Sequence, residues 1–174
     1  TYTVLNQVET VTREIGGGLT ATTAFAYDPN ENLTDTTEPE GEVTHVVNDE
    51  RDLAVRTTRG YGTADAATEE RWFDGNGNLE KVIDGENHIE TVNGYDGFDR
   101  EIVSTDALGN QTDTEYYPCC VLVKFVRRYA AGGALLSQTQ GFFDEIMRRY
   151  KEERLHLRSD GAAAGDGFST TSVL

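Results

Sequence analysis

Residues 72–111 read WFDGNGNLEKVIDGENHIETVNGYDGFDREIVSTDALGNQ, and one phrase occurs in them twice. Phe73-Asp74 opens the first copy and Tyr95-Asp96 the second, 22 positions later. A turn-forming cluster follows each pair, Gly75-Asn76-Gly77-Asn78 and then Gly97-Phe98-Asp99-Arg100, and leads into an alternating run. Midway through each copy comes a second, weaker turn, Asp84-Gly85-Glu86-Asn87 or Asp106-Ala107-Leu108-Gly109. Self-similarity at a period of about 20 to 50 residues marks a repeat architecture, in which each unit leans on its neighbours.

The phrase extends in both directions. Tyr27-Asp28 opens an earlier copy, and Asp28-Pro29-Asn30-Glu31 has the composition of a type I turn. Glu38-Pro39-Glu40-Gly41 repeats that composition halfway along. Asn48-Asp49 opens the next copy with Asn in the aromatic place, and its middle turn expands over 60–65. Downstream, Tyr116-Tyr117-Pro118 stands where another opening is due, and Phe143-Asp144 opens the last copy. Residues 1–26 read as the end of a preceding repeat whose aromatic-Asp opening is missing. Residues 27–157 carry the repeats, with openings near 27, 48, 73, 95, 117 and 143, and 158–174 read as a loop and a truncated next repeat. The stretch EIMRRYKEERLHLR (145–158) is helix-forming by propensity, but the repeat register assigns it to a strand.

Counting each turn's first residue as one, the fourth place holds Asp52, Gly77 and Asp99 in opening turns and Gly41, Asn87 and Gly109 in middle turns. Gly, Asn and Asp tolerate the left-handed backbone that a three-residue hairpin loop closing with a bulge requires. Glu31 and Met147 occupy the same place and break the rule, so strain or another turn type is expected there. Each unit is then strand, tight turn, strand, looser turn. The fold this predicts is all-β, an antiparallel strand-turn repeat array.

Composition narrows the function. The net charge of −16 argues against a nucleic-acid partner, because neutralising phosphates needs clustered Lys and Arg. The charge is uneven: residues 1–120 carry seven Lys/Arg and 25 Asp/Glu, whereas 121–160 carry eight and five. The later segment could form a basic groove from Arg127, Arg128, Arg148, Arg149, Lys151, Arg154 and Arg158, or simply a solvated strand face. No apolar run approaches the roughly 20 residues of a membrane-crossing helix, so no membrane insertion is expected of this segment. No signal peptide is visible at Thr1-Tyr2-Thr3-Val4, and the absence of an initial Met suits a piece of a longer polypeptide. Cys119 and Cys120 are adjacent, where a disulfide would demand a strained turn.

No catalytic, cofactor or metal site is expected. Asp74-Gly75-Asn76-Gly77-Asn78 has the oxygen donors of a calcium loop, but Leu79 and Gly85 stand where a helix-loop-helix site needs Gly and Glu. His45, His88 and His156 show no ligand spacing, although stacked repeats could bring His45 and His88 together. No nucleophile elbow, phosphate loop or dinucleotide fingerprint is present. The aromatics Tyr27, Trp72, Phe73, Tyr95, Tyr116, Tyr117 and Phe143 recur with the repeat. They read as a ladder fixing register between strands, or as a platform for sugar rings in which Trp72 and Tyr61 would stack.

The phrase aromatic-Asp-x-x-Gly-(Asn/Arg)-Leu resembles the YD repeat of RHS proteins. Phe73-Asp74-Gly75-Asn76-Gly77-Asn78-Leu79 matches it fully, and the openings at Tyr27-Asp28 and Tyr95-Asp96 match with one turn position changed. Asn48-Asp49 and Phe143-Asp144 match loosely. The resemblance implies a segment of a spiral β-sheet shell that encloses a C-terminal toxin or other effector, as in insecticidal toxin complexes, polymorphic toxins and teneurins. The expected partners are then flanking repeats of the same polypeptide and the enclosed effector domain, in a secreted or cell-surface protein. The alternative is a carbohydrate- or receptor-binding adhesion module, with glycans as partner. The repeat positions the resemblance marks are Tyr27, Asp28, Asp49, Phe73, Asp74, Gly77, Tyr95, Asp96, Gly109, Phe143 and Asp144. The family's self-cleaving aspartate site has no counterpart in these residues.

Overall fold

Every element found in the computed structural model, which describes residues 1–157 and 163–172 with side chains through 155, is a β-strand. The chain falls into two units, 1–88 and 89–174. The first holds β1 (Thr10–Gly16), β2 (Leu19–Tyr27), β3 (Leu33–Thr37), β4 (Val43–Asn48), β5 (Ala54–Arg59), β6 (Ala67–Phe73) and β7 (Leu79–Ile83). The second holds β8 (Ile89–Tyr95), β9 (Glu101–Asp106), β10 (Gln111–Tyr116), β11 (Val123–Tyr129), β12 (Leu135–Phe143), β13 (Arg149–Leu157) and β14 (Ala163–Ser172). Within each unit every strand pairs antiparallel with its sequence neighbours. This is the all-β, antiparallel strand-turn array that the punctuation predicts.

The helix-forming stretch from 145 is strand from Arg149 onward, because β13 pairs with β12 in continuous register from Lys151↔Phe142 to His156↔Ser137. Neighbour pairing overrides local propensity, as is common in sheets. The proposed loop at the start of 158–174 lies outside the described residues, and β14 follows it.

One irregularity recurs. In the β6–β7 hairpin Phe73 faces Leu79 but Trp72 faces Lys81, so Glu80 is an extra residue on the returning strand. Thr34 and Val55 are extra in the same way after the Tyr27 and Asn48 openings. In the second unit Ile102, Lys124 and Tyr150 repeat the slip after Tyr95, Tyr116 and Phe143. The middle hairpins β3–β4, β5–β6 and β9–β10 keep one register throughout, while β1–β2 and β11–β12 carry bulges at Ile15 and Leu136. A bulge bends its strand and raises the local right-handed twist, so every opening hairpin, and two of the middle ones, adds a local bend.

Neither face buries a conventional core. Among the described residues Val82 is the buried large apolar side chain, and Thr58 and Glu152 are buried polar ones. Cohesion therefore rests on strand ladders, cross-strand pairs and the turns.

Candidate functional site

The repeat positions converge on one recurring object, a five-residue closed turn. In turn 74–78 the Asp74 amide donates to the Asn78 carbonyl at 2.9 Å, and the Gly77 amide donates to the Asp74 carbonyl at 3.1 Å. The Asp74 carboxylate then takes three more donors: the amides of Asn76 at 2.8 Å and Asn78 at 2.9 Å, and Asn78 Nδ2 at 2.9 Å. Asp is the residue for this place because a short carboxylate reaches the backbone two residues on, and a second oxygen remains for the fifth side chain. Asp28, Asp96 and Asp144 cap their turns in the same way, with Asn32, Arg100 and Arg148 in the fifth place. Asp49 takes the amides of Arg51 and Leu53 plus the Arg51 guanidinium.

The middle turns are not the weaker ones. Asp84 and Asp106 receive the same pair of amides, and Asn110 Nδ2 donates to Asp106 at 2.9 Å. The opening turns are set apart by bonds between successive turns, a feature that no residue pattern announces.

The fourth residue is left-handed throughout. Gly77 and Gly109 sit at φ +90° and +78°, a conformation free of penalty without a Cβ. Asp52, Asn87 and Asp99 adopt it as tolerant residues at +63°, +66° and +58°. Glu31 at +72° and Met147 at +65° adopt it too, so of the two expectations for them the structure gives strain, and the turn type is unchanged.

Two openings depart from aromatic-Asp, one at Tyr2-Thr3 and the one the repeat spacing already places at Tyr116-Tyr117. At Tyr2-Thr3 the Thr3 hydroxyl replaces the carboxylate, accepting from the amides of Leu5 at 3.3 Å and Gln7 at 3.2 Å, with Asn6 at φ +63°. An opening thus precedes Tyr27, legible only if Thr is allowed as a weaker substitute for Asp. At Tyr116-Tyr117 the turn is one residue longer, closed by the Tyr117 amide on the Leu122 carbonyl at 2.9 Å. Tyr116, rather than Tyr117, holds the aromatic place: its hydroxyl donates to the Glu101 carbonyl at 3.1 Å, as Tyr27 donates to the Val8 carbonyl at 2.9 Å one repeat back.

Adjacent opening turns are stitched together. Asn32 Nδ2 donates to Asp52 at 2.6 Å, and Arg51 Nη1 donates to the Asp74 carbonyl at 2.5 Å. In the second unit Arg100 binds Asp96, donates to the Cys120 carbonyl, and lies between the rings of Phe98 and Tyr116 at 5.2 and 4.5 Å. Cys119 and Cys120 are free thiols at the tip of that longer turn. Hydrogen bonds from the fifth side chain hold Asp74, Asp96 and Asp106 below the ordinary value of 3.8. Backbone amides from Asn32, His88 and Arg148 do the same for Asp28, Asp84 and Asp144. At Asp49 partial desolvation pushes upward and is outweighed by the amides of Leu53 and Arg51 and by the guanidinium.

The repeat aromatics Tyr27, Phe73, Tyr95, Tyr116, Tyr117 and Phe143 are half-buried, and Tyr117 meets Phe143 edge-on at 5.8 Å. Trp72 is 53% exposed beside a cleft of about 340 Å³ that Arg51, Arg56 and Glu70 also line, with Lys81 Nζ 4.3 Å from its ring centroid. Tyr61, on the expanded middle loop, stacks on His45 at 4.5 Å, and His45 Nδ1 lies 2.7 Å from Asp35. His88 instead faces Asp84 and Glu86 of its own turn, so each of these histidines has its own carboxylate. The side chain of His156 and the whole of Arg158 lie outside the described residues. Among the described residues no group of three or more His, Cys, Asp or Glu could hold a metal ion.

No protein-family model matches the chain. No curated protein matches it either. Solved structures do. A TcdB2-TccC3-Cdc42 crystal structure superposes over 99% of this chain with a TM-score of 0.61 at 11% identity. A Photorhabdus luminescens Tc holotoxin pore covers 90% at TM-score 0.47 and 9% identity, and a porin-like protein from Bacteroides uniformis covers 97% at TM-score 0.38 and 11% identity. The chain spans 11% of the TcdB2-TccC3-Cdc42 chain and of the holotoxin chain. The first likeness carries the all-β fold.

Proposed function

We propose that the chain is a stretch of structural wall: part of a hollow, spiralling β-shell that encloses a C-terminal toxin or effector in a large secreted or surface-delivered protein. The observation that carries this reading is the opening edge. Capped turns recur there, those at 28–32, 49–53 and 74–78 are bonded in succession, as are those at 96–100 and 117–122, and each opening hairpin adds a bulge. Bulges repeated at a fixed period add bends, and a repeat array with little buried apolar surface among its described residues gains stability from flanking repeats of the same polypeptide. The fold likeness to TcdB2-TccC3-Cdc42 supports the same assignment. No catalysis is assigned to this stretch, and Tyr27, Asp28, Asp49, Phe73, Asp74, Gly77, Tyr95, Asp96, Gly109, Phe143 and Asp144 serve as repeat positions. Electron cryo-microscopy of the full-length polypeptide tests the reading. Density for a downstream domain inside a closed wall is expected, and an open or linear array with an exposed downstream domain would refute it.

Trp72 favours a second reading, a glycan-binding adhesion module. The indole is half-exposed beside polar side chains, the arrangement on which sugar rings stack, although Lys81 already covers part of it. Tyr61 is the weaker platform because His45 occupies one ring face. A glycan array decides between the two: a signal lost in a folded Trp72→Ala variant supports adhesion, and no signal supports the wall alone.

A further inference from the structure

The basic segment after residue 120 acquires a definite geometry on one face of the second unit. Cross-strand partners Arg128↔Ser137, Val126↔Thr139↔Arg154 and Gly141↔Glu152 put Arg128, Ser137, Thr139, Glu152 and Arg154 on that face. Arg149 reaches in from the β12–β13 hairpin, and together these side chains border a cleft of about 480 Å³. Glu152 is buried and accepts from Arg149 Nη1 and Arg154 Nε, each at 2.6 Å. Its carboxylate neutralises one positive charge and fixes the direction of two guanidinium groups. The Arg128 side chain makes no hydrogen bond or ion pair among the described residues. Three guanidinium groups thus face one carboxylate across an open trough floored by two hydroxyls.

We propose that this trough docks an acidic peptide segment, its carboxylates taken by Arg128 on one side and by the free edges of Arg149 and Arg154 on the other. Guanidinium forks match carboxylates in a bidentate manner, and the pair held by Glu152 is oriented before any ligand arrives, which lowers the cost of binding. Spacing selects a peptide over a single phosphate. Arg128 and Arg154 stand on β11 and β13, two strands apart and two residues out of register, so their Cα atoms are about 12 Å apart. No free backbone amides line the sheet face to form an anion nest. Charge selects the address. With 25 Asp/Glu against seven Lys/Arg, residues 1–120 repel an acidic segment, and residues 121–160 are the stretch with excess positive charge. The proposal goes beyond the wall reading and does not need an enclosed cargo.

Fluorescence anisotropy of a labelled hexaglutamate peptide with the 174-residue chain at low salt provides the test. Arg128→Gln is the informative variant, because Arg149 and Arg154 also neutralise a buried carboxylate. Far-UV circular dichroism checks that each variant keeps its strand signal. Binding is expected to weaken about tenfold in Arg128→Gln and to stay unchanged in Arg13→Gln, a first-unit control. Absence of binding, or equal loss in both variants, overturns the proposal. So does displacement of the peptide by free phosphate at equal concentration. Because the assay uses the chain alone, a negative result leaves the wall reading intact. An empty full-length shell would likewise leave the trough's affinity intact.

Discussion

At Met147 the backbone is held at φ +65° by a turn whose other four places fit it well. A left-handed non-glycine residue costs roughly 1–2 kcal/mol, and glycine returns part of that through its more flexible unfolded state. Met147→Gly should therefore raise stability by about 1 kcal/mol, read as a higher urea midpoint at unchanged slope. The capping aspartates make a different prediction. Their carboxyls titrate below 3.8 in the folded chain because amides and fifth-place side chains favour the charged form. A lowered folded pKa means the stabilisation is complete above the ordinary Asp value and is lost as pH falls through the folded values. Thermal stability should therefore hold from neutral pH down to about 5 and drop below 4, with Asp74→Asn flattening part of the drop. A melting temperature independent of pH between about 5 and 2.5 would contradict the capping account.

Among the described glycines, Gly141 in β12 has the least room for a side chain. A Cβ on Gly141 would lie 3.0 Å from the Val123 carbonyl oxygen and 3.1 Å from the Phe143 ring. Gly141→Ala should cost about 1–3 kcal/mol, measured by chemical denaturation, because both β11 and the Phe143 ring must shift. At this scale the sequence was readable wherever a turn advertised itself by Asp, Asn and Gly. Tyr95-Asp96 and Phe73-Asp74 marked their hairpins correctly because an Asp cap and a left-handed fourth residue are local requirements. Thr3 escaped notice because a hydroxyl does the work of a carboxylate. The bulges at Glu80, Thr34 and Tyr150 escaped because register belongs to the pair of strands and leaves no mark on either one. The Arg149–Glu152–Arg154 cluster was visible only as a charge run, since which of its residues share a face depends on the bulge at Tyr150.

For the molecule as a whole, a net charge of −16 on a sheet without a core leaves little to oppose self-repulsion. Raising salt from about 20 to 300 mM shortens the screening length to about 6 Å and should raise the melting temperature, whereas a protein held mainly by ion pairs would lose stability. Hydrogen exchange should also be graded along each unit. In the first, β1 has a partner on one side only and should exchange before β5 and β6, which are flanked on both sides. The strand array was legible from period alone. The proposed wall role rests on resemblance, because register slips leave no trace in either strand's sequence.

The two margins of the meander are unlike. In the first unit Asn32 and Arg51 tether successive opening turns, so a loop grafted into either turn would sever a stitch. The opposite margin tolerates the excursion at 60–65 with its neighbours β5 and β6 still in straight register. Ornament such as a grafted epitope, a protease site or a second binding loop can therefore be hung from one selvedge of this fabric without unpicking it, and not from the other.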